Sequence, residues 1–256
     1  MTIHEALRTK VATGRKLLIP YVCAGSPSLE ATLPILQALA DAGADAIELG
    51  IPFSDPLMDG PVIQAASHQA LKAGMTLAKA LGIAAAFTAS RETPLIFMGS
   101  VNPMLAMGPE TFVKRAQKAG VGACILPDLP LEDQGRLPGL SQVQLVAPNT
   151  PNERVQALLA EDPPFLYCVT VFGVTGARTT TADYTLPFLR RMKALSQAPV
   201  LAGFGVSTPE QAVELAAACD GVIIGSALIR AMNAVDAKDA ARAAGDFLKP
   251  FRSALD

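Results

Sequence analysis

A chain of 256 residues, 50% hydrophobic and only 17% charged, has enough apolar material for a sizeable core and less surface charge than the roughly 25% of an average domain, which suits a subunit contact. Its net charge of −2, with no Lys/Arg stripe, excludes a nucleic-acid surface built on phosphate contacts. No apolar run approaches the ~20 residues of a membrane span, so no membrane partner is expected.

The first sixteen residues, MTIHEALRTKVATGRK, form an amphipathic lead-in helix and lack the apolar stretch of a secretion signal; a cytoplasmic protein is expected. The apolar run LLIPYVC (17–23) follows. After it comes LEATLPILQALADAG (29–43), whose apolar residues recur at three and four and whose Ala-Gly end suits a helix stop. The second run is DAIELG (45–50), and past an acidic loop PVIQAASHQALKAG (61–74) reads as a helix.

The pattern then repeats. PLIFMG (94–99) precedes the helical PETFVKRAQKAG (109–120), and GACILP (122–127), QVQLVAP (142–148) and FLYCVT (165–170) continue the series of apolar runs. APVLAGFG (198–205), the helical PEQAVELAAACD (209–220) and DGVIIG (220–225) complete it. Each run is almost continuously hydrophobic, as strands covered on both faces must be, so a parallel sheet is expected. Eight βα units in about 250 residues predict a single α/β domain over 1–256, a (β/α)₈ barrel. A doubly wound open sheet is the alternative, but AGSPS after the first run is no GxGxxG.

In a barrel the chemistry sits at the carboxyl ends of the strands. There ELGIPFSDPLMDGP (48–61) stands out. Alternation sets Glu48 opposite Ile47 and Leu49, toward the barrel interior, where an unpaired carboxyl has a raised pKa suited to acid/base work. The competing reading is a glutamate paired with a lysine or arginine at the barrel mouth. Asp59 ends a loop stiffened by Pro52 and Pro56, and its plain alternative is an N-cap ahead of Pro61. Asp55 has the same alternative.

Glycines gather after the last three strands, in GVTGA (173–177), GFGVS (203–207) and GSA (225–227), where free backbone N–H groups at a helix start make an anion site. No lysine lies in these loops and Arg178 is the nearest cation, so a phosphate would be held mainly by backbone donors. No lysine lies within a strand run, which argues against a Schiff-base aldolase. Cys23, Cys124, Cys168 and Cys219 are scattered among apolar neighbours and read as reduced core thiols. His4 and His68 are too few and too distant for a histidine-rich metal site, so no metal is expected.

ELGIPFSDPLMDGPVIQ closely resembles the signature of the tryptophan synthase alpha chain family, and FGVTGAR, GFGVS and GSA match its phosphate-side loops in the same order. The likeness runs from about Leu17 to the C-terminal helix. It implies a cofactor-free and metal-free retro-aldol cleavage of indole-3-glycerol phosphate to indole and glyceraldehyde 3-phosphate, in tryptophan biosynthesis. By the family's pattern Glu48 is the acid/base, Asp59 stabilises the cationic indole, and Tyr167 stands near the glutamate. Thr175 lies in a closing loop, and Gly176, Gly205, Gly225 and Ser226 match phosphate contacts. Tyr21, Phe204 and Ile63 are expected to line the indole pocket. Pro52, Asp55 and Pro56 match the segment that meets a pyridoxal-phosphate beta chain, so an α₂β₂ complex is expected. Two positions depart from the pattern: Ser100, where an aromatic is common, and Phe172, where a small hydroxyl residue is commoner. A stand-alone lyase and a catalytically silent activating subunit are the rival functions.

Overall fold

The apolar runs become eight short parallel strands, β1 Leu17–Cys23, β2 Ile47–Gly50, β3 Leu95–Met98, β4 Val121–Ile125, β5 Gln144–Val146, β6 Leu166–Val169, β7 Val200–Gly203 and β8 Gly221–Ile224. The structure, a computed structural model, describes residues 1–56, 59–169, 181–203 and 205–256. Hydrogen-bonded neighbours run in the order β4-β3-β2-β1-β8-β7-β6-β5. The remaining seam is closed by a parallel bridge between Cys124 and Gln142: Cys124 N donates to Ser141 O at 2.8 Å and Val143 N to Cys124 O at 2.9 Å. The sheet is therefore a barrel, as the βα count predicts.

Helices cover its outside: α1 Ile3–Ala12, α2 Thr32–Asp41, α3 Pro61–Lys72, α4 Leu77–Thr88, α5 Asn102–Met107, α6 Pro109–Lys118, α7 Asn152–Leu159, α8 Thr181–Leu195, α9 Pro209–Ala216, α10 Ser226–Asn233 and α11 Ala240–Leu255. The lead-in helix α1 starts in a capping box, in which Glu5 N donates to Thr2 Oγ1 at 3.3 Å and Thr2 N donates to Glu5 Oε2 at 2.8 Å. No single helix among the described residues is long and apolar enough to cross a membrane.

Two stretches differ from the sequence expectation. The connection from β4 to β5 carries a 3₁₀ turn, Leu131–Arg136, in place of an α-helix; Pro130, Gly135 and Pro138 leave too short a stretch of helix formers for a longer element. The helix expected over 209–220 ends at Ala216. Asp220 is drawn away to the start of β8, where its carboxylate accepts from Val200 N and Lys193 Nζ, both at 2.8 Å. The four cysteines are free and buried, and burial pushes the Cys23 thiol up to about 12 and the Cys219 thiol to about 11.

The base of the barrel is pinned by one acid. Asp45, wholly buried just before β2, accepts from Arg15 Nε at 2.7 Å, Arg252 at 3.0 Å and the Leu18 N–H at 2.9 Å, with Lys10 Nζ 3.0 Å away. It thereby ties α1, β1 and α11 together. Removing one partner of a buried ion pair strands the others and costs about 3–5 kcal/mol. Asp45→Ala is expected to lower Tm by roughly 10 °C, read by thermal unfolding; a shift of about 2 °C would show that the cluster contributes little.

Candidate active site

Two adjoining cavities open where the strands end. The first, about 50 Å³, is mainly apolar, with Ile51, Phe53, Met98 and Pro127 among its walls and Ser100 and Asp128 at one edge. The second, about 210 Å³, is lined by Glu48, Tyr167, Gly205, Ser207, Gly225, Ser226 and Arg230. Tyr21, Asp59 and Met98 border both. The site therefore runs from an apolar end, past two acids and two tyrosines, to a glycine-lined end.

Glu48 occupies the middle of β2, in register with Tyr21 of β1 and Ile96 of β3. Its flanking residues Ile47 and Leu49 are completely buried, and the strand alternation turns the carboxyl to the inner cavity. It is itself 0% exposed, and neither carboxyl oxygen has a hydrogen-bond partner among the described residues. No lysine or arginine pairs with it there, so the ion-paired reading of this residue is set aside. With no partner to stabilise the anion, burial pushes its pKa up to about 8.

Asp59 reaches the same space from the loop after β2. Its backbone N–H donates to Pro56 O at 3.3 Å, and Gln64 Nε2 donates to its carbonyl at 2.8 Å, which holds the main chain at the start of α3. The helix N-cap is Gly60, with Pro61 at the first turn, so Asp59 does not serve as the cap. Partial burial raises its carboxyl to about 6. Tyr21 and Tyr167 are buried, and their phenols are pushed well up, first by burial and then by neighbouring groups that include Glu48 and Asp59.

Glycine makes room for both rings. A Cβ at Gly50 would overlap the Tyr21 phenol, and one at Gly203 would overlap that of Tyr167. Gly203, grouped by sequence with the anion-site glycines, thus admits a tyrosine. Gly205 does line the second cavity and has φ +83°, a conformation that side chains with a Cβ rarely adopt. Gly225 is the N-cap of α10 and supplies no side-chain cap, so the first N–H groups of that helix, from Ser226 on, lack intrahelical partners.

Of the remaining expected positions, Ile63 borders the glycine-lined cavity and not the apolar one. Asp55 and Pro56 border the apolar cavity; Asp55 is exposed and accepts from Ser54 Oγ at 2.6 Å, while Pro52 is buried beneath them. Thr175, Gly176 and Phe204, together with Phe172 and Arg178, lie outside the described residues. Arg230 was not anticipated. Its spacing of four from Ser226, one helical turn, is the signal that would have found it.

The family model described as tryptophan synthase alpha chain matches residues 7–253. The chain belongs to the tryptophan synthase alpha chain family. It is 42% identical over 262 residues to the tryptophan synthase alpha chain of Xylella fastidiosa strain M12, covering 99% of this chain and 98% of that one. It is likewise 42% identical over 233 residues to that of Carboxydothermus hydrogenoformans, covering 89% and 87%. Among solved structures it resembles the alpha subunit from Legionella pneumophila strain Paris (TM-score 0.88, 37% identity, 100% and 99% covered). It also resembles a tryptophan synthase complex from Pyrococcus furiosus (TM-score 0.83, 34% identity, 93% and 99% covered). As a member of that family it is a carbon–carbon lyase of tryptophan biosynthesis, cleaving indole-3-glycerol phosphate to indole and glyceraldehyde 3-phosphate.

Proposed function

We propose that indole-3-glycerol phosphate lies along the two cavities, its indole in the apolar one and its phosphate at Gly205, Gly225 and Ser226, with the scissile carbon–carbon bond beside Glu48. Glu48 gives a proton to indole C3, which puts positive charge on the ring nitrogen next to Asp59. The side-chain hydroxyl then loses its proton to Glu48, the bond to C3 breaks, and its electron pair returns to the ring to neutralise the nitrogen. One proton is donated and one recovered, so Glu48 ends as it began and no metal or cofactor is required. The observation that carries this reading is the buried, unpartnered Glu48 carboxyl in the same cavity as the open start of α10.

Tyr167 lines the same cavity as Glu48 and helps to enclose its carboxyl. The Asp55 to Pro56 segment at the mouth of the apolar cavity meets a beta chain, in an α₂β₂ complex that takes up the released indole. The relative from Pyrococcus furiosus solved as a tryptophan synthase complex supports that assembly. The test is indole release from indole-3-glycerol phosphate by the purified chain, with and without a beta chain. Activation by the beta chain of about tenfold or more supports the complex, high turnover that the beta chain leaves unchanged favours a stand-alone lyase, and no indole in either case leaves only an activating role.

Backbone recognition of phosphate makes a separate expectation. Gly205→Val must place a branched residue at φ +83° and is expected to raise KM by about tenfold or more. Gly225→Ala, whose Cβ would meet Tyr21 at 3.5 Å, an ordinary contact, should raise it less. Steady-state kinetics on the two variants decides the point; the opposite order would move the phosphate away from Gly205.

A further inference from the structure

We infer that Arg230 is a specificity-determining residue, the cation that selects a phosphorylated substrate at the α10 end of the second cavity. The inference rests on the reading of that end as the phosphate site.

Among the described residues the cavity is lined by two carboxyls, the protonated Glu48 and the Asp59 carboxylate, and by one guanidinium, Arg230. A phosphate brought into a cavity that already holds the Asp59 carboxylate needs an opposing charge as well as amide dipoles. The start of α10 offers the equivalent of only about half a positive charge through its free N–H groups. Arg230 supplies a full one. It stands four residues after Ser226, so both side chains project from the same face of α10, and both border the cavity.

Its guanidinium has no structural employment among the described residues. Arg154 is paired with Glu132, Arg191 donates to the carbonyls of Pro148 and Thr150, and Arg252 is bound to Asp45. No hydrogen bond or ion pair joins Arg230 to another described residue, and its side chain is exposed at the cavity edge. A planar guanidinium one helical turn after Ser226 suits a fork of charge-assisted hydrogen bonds to phosphate oxygens, a geometry that the lysine ammonium does not reproduce. Sequence alone leaves the phosphate to backbone donors; the structure adds a side chain that distinguishes a charged substrate from a neutral one of the same shape.

The experiment compares wild type, Arg230→Gln and Arg230→Lys in steady-state cleavage, and measures the Kd of inorganic phosphate for each by calorimetry. Arg230→Gln is expected to raise KM about 10-fold to 100-fold with kcat held within about threefold, and to weaken phosphate binding by a similar factor. Arg230→Lys should recover part of both losses, and Tm should not move, because the side chain carries no packing. A KM and a phosphate Kd both within about twofold of wild type in Arg230→Gln would overturn the inference, as would a loss confined to kcat or an unfolded variant. If wild type itself released no indole, the proposed reaction would fall. The phosphate Kd series would then decide the role of Arg230 separately.

Discussion

Glu48→Gln is expected to release no measurable indole while binding substrate nearly as well as wild type. General acid–base catalysis contributes about 10²–10⁴-fold, and in the proposed mechanism one carboxyl acts at both carbon and oxygen, so the loss should lie at or beyond the upper figure. An amide can neither give nor take these protons, yet its shape is close to that of the protonated acid that the apolar strand neighbours favour. Single-turnover assays with substrate binding measured in parallel check this. A Glu48→Gln enzyme more active than Asp59→Asn would reverse the two roles.

The same substitution should change stability in a pH-dependent direction. In the unfolded chain Glu48 ionises near 4.3, whereas in the fold burial holds the carboxyl protonated to about 8. Between those values the folded state binds a proton that the unfolded state has released, so stability falls as pH rises through that window. Glu48→Gln abolishes this slope. It should therefore be more stable relative to wild type at pH 9 than at pH 5, measured by urea unfolding at both; an equal difference at the two would mean that the carboxyl is not held neutral.

Asp59→Asn is expected to retain a trace of activity and Asp59→Ala less, with the loss in kcat more than in KM because the positive charge on the ring develops after binding. Losing a group aimed at transition-state charge costs about 10²–10³-fold. An amide oxygen still accepts from the indole N–H but brings no negative charge. Asp59 is raised to about 6 and so loses its charge as pH falls through that value, while Glu48 loses its proton above about 8. The kcat/KM profile of the free enzyme should therefore be bell-shaped, with limbs near 6 and 8. In Asp59→Asn the acid limb should disappear and the alkaline limb persist; an unchanged acid limb would assign it to another group.

Much of this was legible along the chain. The near-continuous apolar runs and the intervening 3.6-residue periodicity determined the strands, the helices between them and the barrel, because a strand covered on both faces has no polar side to show. The candidate acid Glu48 was legible for a related reason: a glutamate between Ile47 and Leu49 contradicts its neighbours, and only a function or a partner resolves the contradiction.

Tertiary structure decided the rest. That Glu48 lacks a cationic partner among the described residues depends on which side chains seven other strands bring near it, and that Asp45 is the one bound by Lys10, Arg15 and Arg252 depends on helices more than 200 residues apart in sequence. The glycines show the same limit: Gly50 and Gly203 are small because tyrosines from neighbouring strands lie over them, while Gly205 is needed for its backbone angle. Arg230 gave no local signal beyond its spacing from Ser226, since a guanidinium on an exposed helix face is ordinary until the fold sets a cavity beside it. Hydrophobic periodicity is a property of neighbours along the chain, so the sequence by itself determined the elements and the polar residue that breaks them. Charge pairing, free space and pKa are properties of neighbours across it, and these only the closed barrel could settle.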